Sequence, residues 1–175
     1  MSHALDERGR DPHRGLVHAG GFGQFMFAVT RAGIGFVFLW AFLDKLFGLG
    51  RSTKEASSWL NGGSPTQGYL SNLKGTFADT FKDVAGNAWA DWLFMIGLAG
   101  LGVALIFGIG MGIAAVTGSI LLFLMWLTAL PIASNPFLDD HLIYAFAIVA
   151  IAATGAGLRY SLAPWWRRFM PRILW

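Results

Sequence analysis

Four long apolar runs, at about residues 25–49, 89–107, 111–132 and 137–158, decide what this chain can fold into; the first contains Arg31, Asp44 and Lys45. At about 1.5 Å per residue, a helix built from any of them is long enough for a hydrocarbon layer of about 30 Å, allowing for capped ends. The apolar residues are continuous rather than alternating, which argues against membrane β-strands. Composition closes off the soluble alternative: charged residues are 13% of the 175, against about 25% in a soluble domain. The expectation is an all-α integral membrane protein, a four-transmembrane-helix bundle over residues 22–160. Three spans with one buried helix is the alternative.

The flanks set the topology. Residues 1–21 are polar and mixed in charge with no apolar stretch, so they read as a tail and not a cleavable signal peptide. Residues 161–175 form a second tail, basic and rich in Trp. Arg8, Arg10 and Arg14 precede the first run, and Arg159, Arg167, Arg168 and Arg172 follow the last. The connection at residues 50–88 carries Arg51, Lys54, Lys74 and Lys82, balanced by Glu55, Asp79, Asp83 and the neighbouring Asp91. Four spans place both termini on one side, and the positive-inside rule makes that side cytoplasmic. The basic excess therefore reports topology rather than nucleic-acid binding. Trp165, Trp166 and Trp175 fall at the inner interface, Trp89 and Trp92 at the outer one.

Two packing signals follow. Gly100, Ala104 and Gly108 recur every four residues on the second run, and Gly110, Ala114 and Gly118 do so on the third. Small residues at this spacing let helix backbones approach, so these two runs are expected to form the tightest hairpin. In the outer loop, Ser52-Thr53-Lys54-Glu55 reads as a capping box opening a short helix that stops before Gly62-Gly63. Ser64 and Pro65 open a second, amphipathic helix with Tyr69, Leu70, Leu73, Phe77 and Phe81 on one face. Such a helix serves as a lid over the bundle mouth or as an interfacial anchor; the pattern fits both.

With no Cys and three of four His (His3, His13, His18) in the tail, haem, iron–sulfur and metal sites are not expected within this chain. A redox role then needs a diffusible organic cofactor, such as a quinone, or a partner subunit.

Charges inside a span are costly, and each needs a reason. Arg31, Gly35, Phe38, Phe42 and Lys45 share one stripe of the first helix. Arg31 either snorkels to headgroups or finds hydroxyls (Thr117, Ser119), carbonyls, a lipid phosphate or a ligand. At the outer end, Asp44, Lys45, Asp139, Asp140, His141 and Tyr144 fall at one depth on two helices. Such a group can bind a polar head and relay a proton through His141 with Asp140. It can equally be helix capping and charge neutralisation at the start of the fourth span. Lys45 would contact a ligand head, while Phe38, Trp40 and Trp126 would line an apolar pocket beneath it.

The first span from Arg31 through Phe36-Val37-Phe38-Leu39 to Lys45-Leu46, followed by Asn135-Pro136 and Asp140-His141, resembles the DoxX/DoxD family of small bacterial membrane proteins. Trp59-Leu60-Asn61-Gly62-Gly63-Ser64-Pro65-Thr66 and Asn135-Pro136-Phe137-Leu138-Asp139-Asp140-His141 are similar to its actinobacterial members. The resemblance implies a four-helix bundle in the bacterial cytoplasmic membrane, working with a separate subunit. It further implies quinone as cofactor and electrons drawn from an outer sulfur substrate such as thiosulfate. A dianion calls for a net positive site, and three acids stand here beside Lys45, Arg51 and His141. Two other readings stay open: a non-catalytic accessory subunit of a larger respiratory complex, or a small transporter with Arg31 and Lys45 at the ends of a polar path. In each the lipid bilayer is a partner, with a second membrane subunit or a homo-oligomer.

Overall fold

A computed structural model describes residues 20–133 and 135–170. The N-terminal arginines and histidines of the first tail, and Arg172 and Trp175 of the second, lie outside the described residues. The described chain is helical, with no named strand among the described residues: α1 (Gly21–Phe47), α2 (Gln67–Leu70), α3 (Ala78–Lys82), α4 (Ala88–Phe107), α5 (Met111–Ala129), α6 (Asp140–Thr154) and α7 (Ala163–Phe169). Three of these, α1, α4 and α5, are long and apolar enough to cross a membrane; α6 is apolar and has 15 residues.

Local chemistry explains the boundaries. Helices α1, α4 and α6 each stop at a glycine in the left-handed region, Gly48, Gly108 and Gly155, where a side chain would be strained. Helix α5 stops at Ala129 because Leu130, extended at ψ 137°, precedes Pro131. Helix α6 is shorter than the apolar run it occupies: the Asp139 carboxylate caps its start by accepting from Leu142 N at 3.2 Å.

The four long helices stack antiparallel. Helix α1 packs on α4, α4 turns tightly into α5 through Gly108-Ile109-Gly110, and α5 packs on α6. Ile34, Phe38, Leu98, Leu105, Leu122 and Ile148 form part of the shared core. The opposite faces are apolar and open: Leu93, Ile96, Val116 and Phe146 are each about 60% exposed. A surface of that kind is matched to lipid rather than water.

The closest helix contact differs from the expectation. Gly100 has open space around it, and the tightest approach is between α1 and α4. A Cβ at Gly35 would lie 2.8 Å from Ile106 N, and one at Gly102 would lie 2.7 Å from Leu39 N. Gly118 does bring α5 against α4, at Leu101. Spacing of small residues marks close-packing faces, but Gly102 lies off the Gly100–Gly108 row, and the partner Gly35 has Arg31 and Leu39, not small residues, four positions away on α1.

The loop between α1 and α4 is not built from two longer helices. Two single 3-10 turns, Glu55–Ser57 and Trp59–Asn61, precede α2 and α3, and the chain unwinds between them from Ser71 to Phe77. The predicted capping box does not form, because Ser52 is committed to Asp44 and Lys54 caps nothing. The break before α3 has a steric reason: a Cβ at Gly75 would run into the Leu130 carbonyl, which accepts from Thr76 N at 3.1 Å.

Candidate functional site

The end of the bundle that carries this loop holds every acid among the described residues, and each of the buried ones has a specific set of donors. Asp44, 1% exposed in the last turns of α1, accepts from Arg51 N (3.1 Å), Ser52 N (2.9 Å), Ser52 Oγ (2.6 Å) and Thr53 N (2.9 Å). The turn that presents these donors is closed by a bridge between Leu49 and Lys54. Lys45 donates to Ser52 Oγ at 3.5 Å and stands 5.9 Å above the Phe94 ring of α4. Asp44 and Lys45 are therefore joined through Ser52 and anchor the start of the loop.

Sequence reasoning missed the second anchor. Asp91, in the first turn of α4, accepts from Ser64 Oγ (2.8 Å), Thr66 N (3.0 Å) and Thr66 Oγ1 (2.6 Å). Thr66 Oγ1 in turn accepts from Gly86 N at 3.2 Å, so one carboxylate fixes both ends of the loop's second half. An acid inside an apolar run was the available signal; reading it as loop charge balance hid it. A third anchor joins Tyr69 Oη and Thr128 Oγ1, 2.7 Å apart, at the end of α5. Trp59 meets Trp92 edge-on with ring centroids 4.6 Å apart. The loop is thus docked on α1, α4 and α5.

The remaining polar residues form a separate group at the start of α6. His141 Nδ1 lies 2.6 Å from Asp139 Oδ2 and 3.6 Å from Asp140 Oδ1. Asp139 is mostly covered (side chain 9% exposed), whereas the side chain of Asp140 is 72% exposed. The close partner of His141 is therefore the capping Asp139. Tyr144 packs against the core. No hydrogen bond or ion pair among the described residues joins Asp44 or Lys45 to Asp139, Asp140 or His141. The six residues expected in one cluster thus make two, because α1 packs on α4 while α6 packs on α5.

The expected apolar pocket also divides. Phe38 is buried in the core. Trp40 lies against Phe36, 6.0 Å between centroids. Trp126 stacks on Phe123 (5.4 Å), meets Phe137 edge-on (5.6 Å) and donates to the Phe137 carbonyl at 3.0 Å. Below Trp126, an open groove of about 670 Å³ runs between α5 and α6, with Phe123, Leu124, Leu142, Ala145 and Phe146 among its walls. Ser119 is in the same wall, and its Oγ is buried with no hydrogen-bond partner.

At the opposite end of the bundle Arg31, 1% exposed, neither snorkels nor meets Thr117 or Ser119. Its guanidinium donates to the carbonyls of Leu105, Ile106 (3.1 Å) and Tyr160 (3.0 Å). These are the last carbonyls of α4 and one of the turn after α6, so a fixed cation sits at the negative end of a helix. Thr117 bonds back to Ile113 O instead.

Charge compensation is therefore largely internal. Asp44 is saturated by its own loop and Asp139 by His141 and Leu142 N, which leaves Asp140 as the open acid of the three considered above. Neither a family model, nor a curated protein, nor a solved structure matches this chain.

Proposed function

We propose that this chain is a four-span, DoxX-type membrane subunit that holds a quinone along the α5/α6 groove, with both termini cytoplasmic. The single observation that carries the reading is the Asp139–His141 pair, 2.6 Å apart, at the start of the helix that forms one wall of an apolar groove. The fourth span is α6, about 22 Å long at 1.5 Å per residue and extended by the turn at Leu158–Tyr160.

The residues fit such a ligand. The groove is open along the lipid-facing side and walled by Phe123, Leu142, Ala145 and Phe146, which suits an isoprenoid tail. Trp126 and Phe123 offer stacked ring faces at its upper end. A bound quinone supplies a two-electron, two-proton acceptor. Asp139 engages Nδ1 of His141 and leaves Nε2 as the nitrogen that exchanges a proton. Asp139 also fixes the ring's orientation, since its other oxygen is held by Leu142 N. Lys45 and Asp44 serve the loop and not this site. In this reading the electrons come from a small outer-face sulfur substrate, with a partner subunit supplying the positive charge that a dianion requires.

The test is solvent extraction of the purified full-length protein, followed by binding of a quinone analogue in detergent. Quinone is expected in the extract, and His141→Ala should weaken analogue binding about tenfold, the loss of one hydrogen bond to a charged or polar head. An extract free of quinone, together with analogue binding that is unchanged in His141→Ala, overturns the proposal.

A further inference from the structure

Two clefts lie end to end along the α5/α6 seam. The groove of about 670 Å³ below Trp126 and a second cleft of about 530 Å³ share Val149 as a wall. Each alone has the size of a small-ligand pocket. On α6 the walls include Leu142, Ala145, Val149 and Ala153. On α5 they include Phe123, Ser119, Ala115 and Gly112. Steps of three and four residues keep each set on one face of its helix, so the two clefts make one furrow. From Leu142 to Gly155 it runs about 20 Å at 1.5 Å per residue.

The walls grow smaller along its length. Phe and Leu side chains flank the upper groove, whereas Gly112, Ala115, Ala152 and Ala153 flank the lower cleft. Met111, 4% exposed, belongs to the core beneath that cleft, and Leu158 packs against the core at its far end. Little polar capacity is left over. The Thr154 hydroxyl is spent on the Ala150 carbonyl at 2.6 Å, and Arg167, which also lines the cleft, already has an interaction of its own. Ser119 is the one hydroxyl among the walls of the upper groove, and its Oγ is buried. Such a furrow offers carbon surface to a chain and little that would orient a second polar head.

We infer that the lower cleft holds the far end of the quinone's isoprenoid tail, so that the site selects quinones by tail length. The inference rests on the quinone reading above and adds to it the second half of the seam. An extended chain advances about 1.2 Å per bond, and an isoprene unit of four chain bonds about 5 Å, so the furrow takes about four units. Further units pass beyond Leu158 and contribute nothing to binding. Detergent and lipid tails are as apolar as the furrow, so the gain comes from packing rather than from leaving water.

The experiment uses the purified full-length protein in detergent and synthetic quinones carrying one, four or eight isoprene units. A second four-unit form carries a diazirine at the end of its tail. The four-unit quinone should bind about tenfold more tightly than the one-unit form, and eight units should add less than about twofold. The photolabel should fall within residues 111–115 and 149–158. Ala153→Trp, which fills the lower cleft from an exposed position, should bring the four-unit affinity down to the one-unit value. Equal affinity of the one- and four-unit forms, label confined above Val149, or a preference retained in Ala153→Trp would each overturn the inference. The quinone reading survives those results if one-unit binding still depends on His141, and binding of none of the quinones overturns both. Loss of the lower label to added phosphatidylglycerol, with the quinone still bound, would give the cleft to a lipid chain and overturn the inference as well. If Ala153→Trp fails to fold, the tail-length series and the position of the label decide it.

Discussion

Replacing Asp44 by Ala should release the loop from the bundle. Its carboxylate takes four hydrogen bonds, three from consecutive backbone amides and one from Ser52 Oγ. Hydrogen bonds to a charged group contribute about 1.5–3 kcal/mol each, so the four set a ceiling of about 6–12 kcal/mol. The true loss is smaller, because the donors belong to a partly exposed turn and water can reach them once the carboxylate is gone. The figure for deleting one partner of a buried charged set, about 3–5 kcal/mol, is the better expectation. Asp44→Asn keeps one oxygen for Ser52 and Thr53 but turns an NH₂ toward Arg51 N, at a cost of about 1–2 kcal/mol. The assays are denaturant unfolding in detergent micelles and amide hydrogen exchange over residues 49–54. Asp44→Ala should lose protection at Arg51, Ser52 and Thr53 first, with Asp44→Asn between it and wild type. If Asp44→Ala unfolds within about 0.5 kcal/mol of wild type and those amides stay protected, the carboxylate is not what holds the loop.

Arg31→Met should cost about 3–5 kcal/mol in the same unfolding assay, because three carbonyls lose a charged donor inside the bundle. Arg31→Lys should recover part of it, since an ammonium reaches fewer of those carbonyls than a planar fork. Gly102→Ala should destabilise by about 1–3 kcal/mol, as its Cβ meets the Leu39 backbone at 2.7 Å. Gly100→Ala, with open space around it, should be neutral or stabilising by up to about 1 kcal/mol, and the pair together separates packing from propensity. Tyr69→Phe should remove about 1 kcal/mol through the lost contact to Thr128, read as faster exchange across residues 64–76 with the helices unaffected.

Periodicity carried most of the fold. The stripe Arg31, Gly35, Phe38, Phe42 and Lys45 does face α4, from Arg31 at its last carbonyls to Lys45 over Phe94, because a helix places residues three and four apart on one side. The partners of the charges were not legible in the same way. Arg31 bonds to backbone carbonyls and Asp44 mainly to backbone amides, and a backbone carbonyl or amide has no residue-type signature. Residue types suggested that acids, a lysine and a histidine at equal depth would meet. Which helices are neighbours decides that instead, and α1 and α6 touch only lightly. The loop helices failed for a local reason: amphipathic spacing from Tyr69 to Phe81 was read through Gly75, where close approach of the Leu130 carbonyl requires the chain to leave the helix.

The reach of Arg31 has a consequence for the order in which the molecule is made. Its third acceptor, the Tyr160 carbonyl, is 129 residues further along the chain, and Gly157 N returns to Gln24 Oε1 in the same region. At a ribosomal rate of about 5–20 residues per second, about 6–26 s separates synthesis of the first helix from that of its final partner. During that interval Arg31 has at best the carbonyls of α4, so the first helix enters the membrane with a cation only partly satisfied. The turn at Tyr160 completes its coordination, and the bundle closes only after all four long helices have been made.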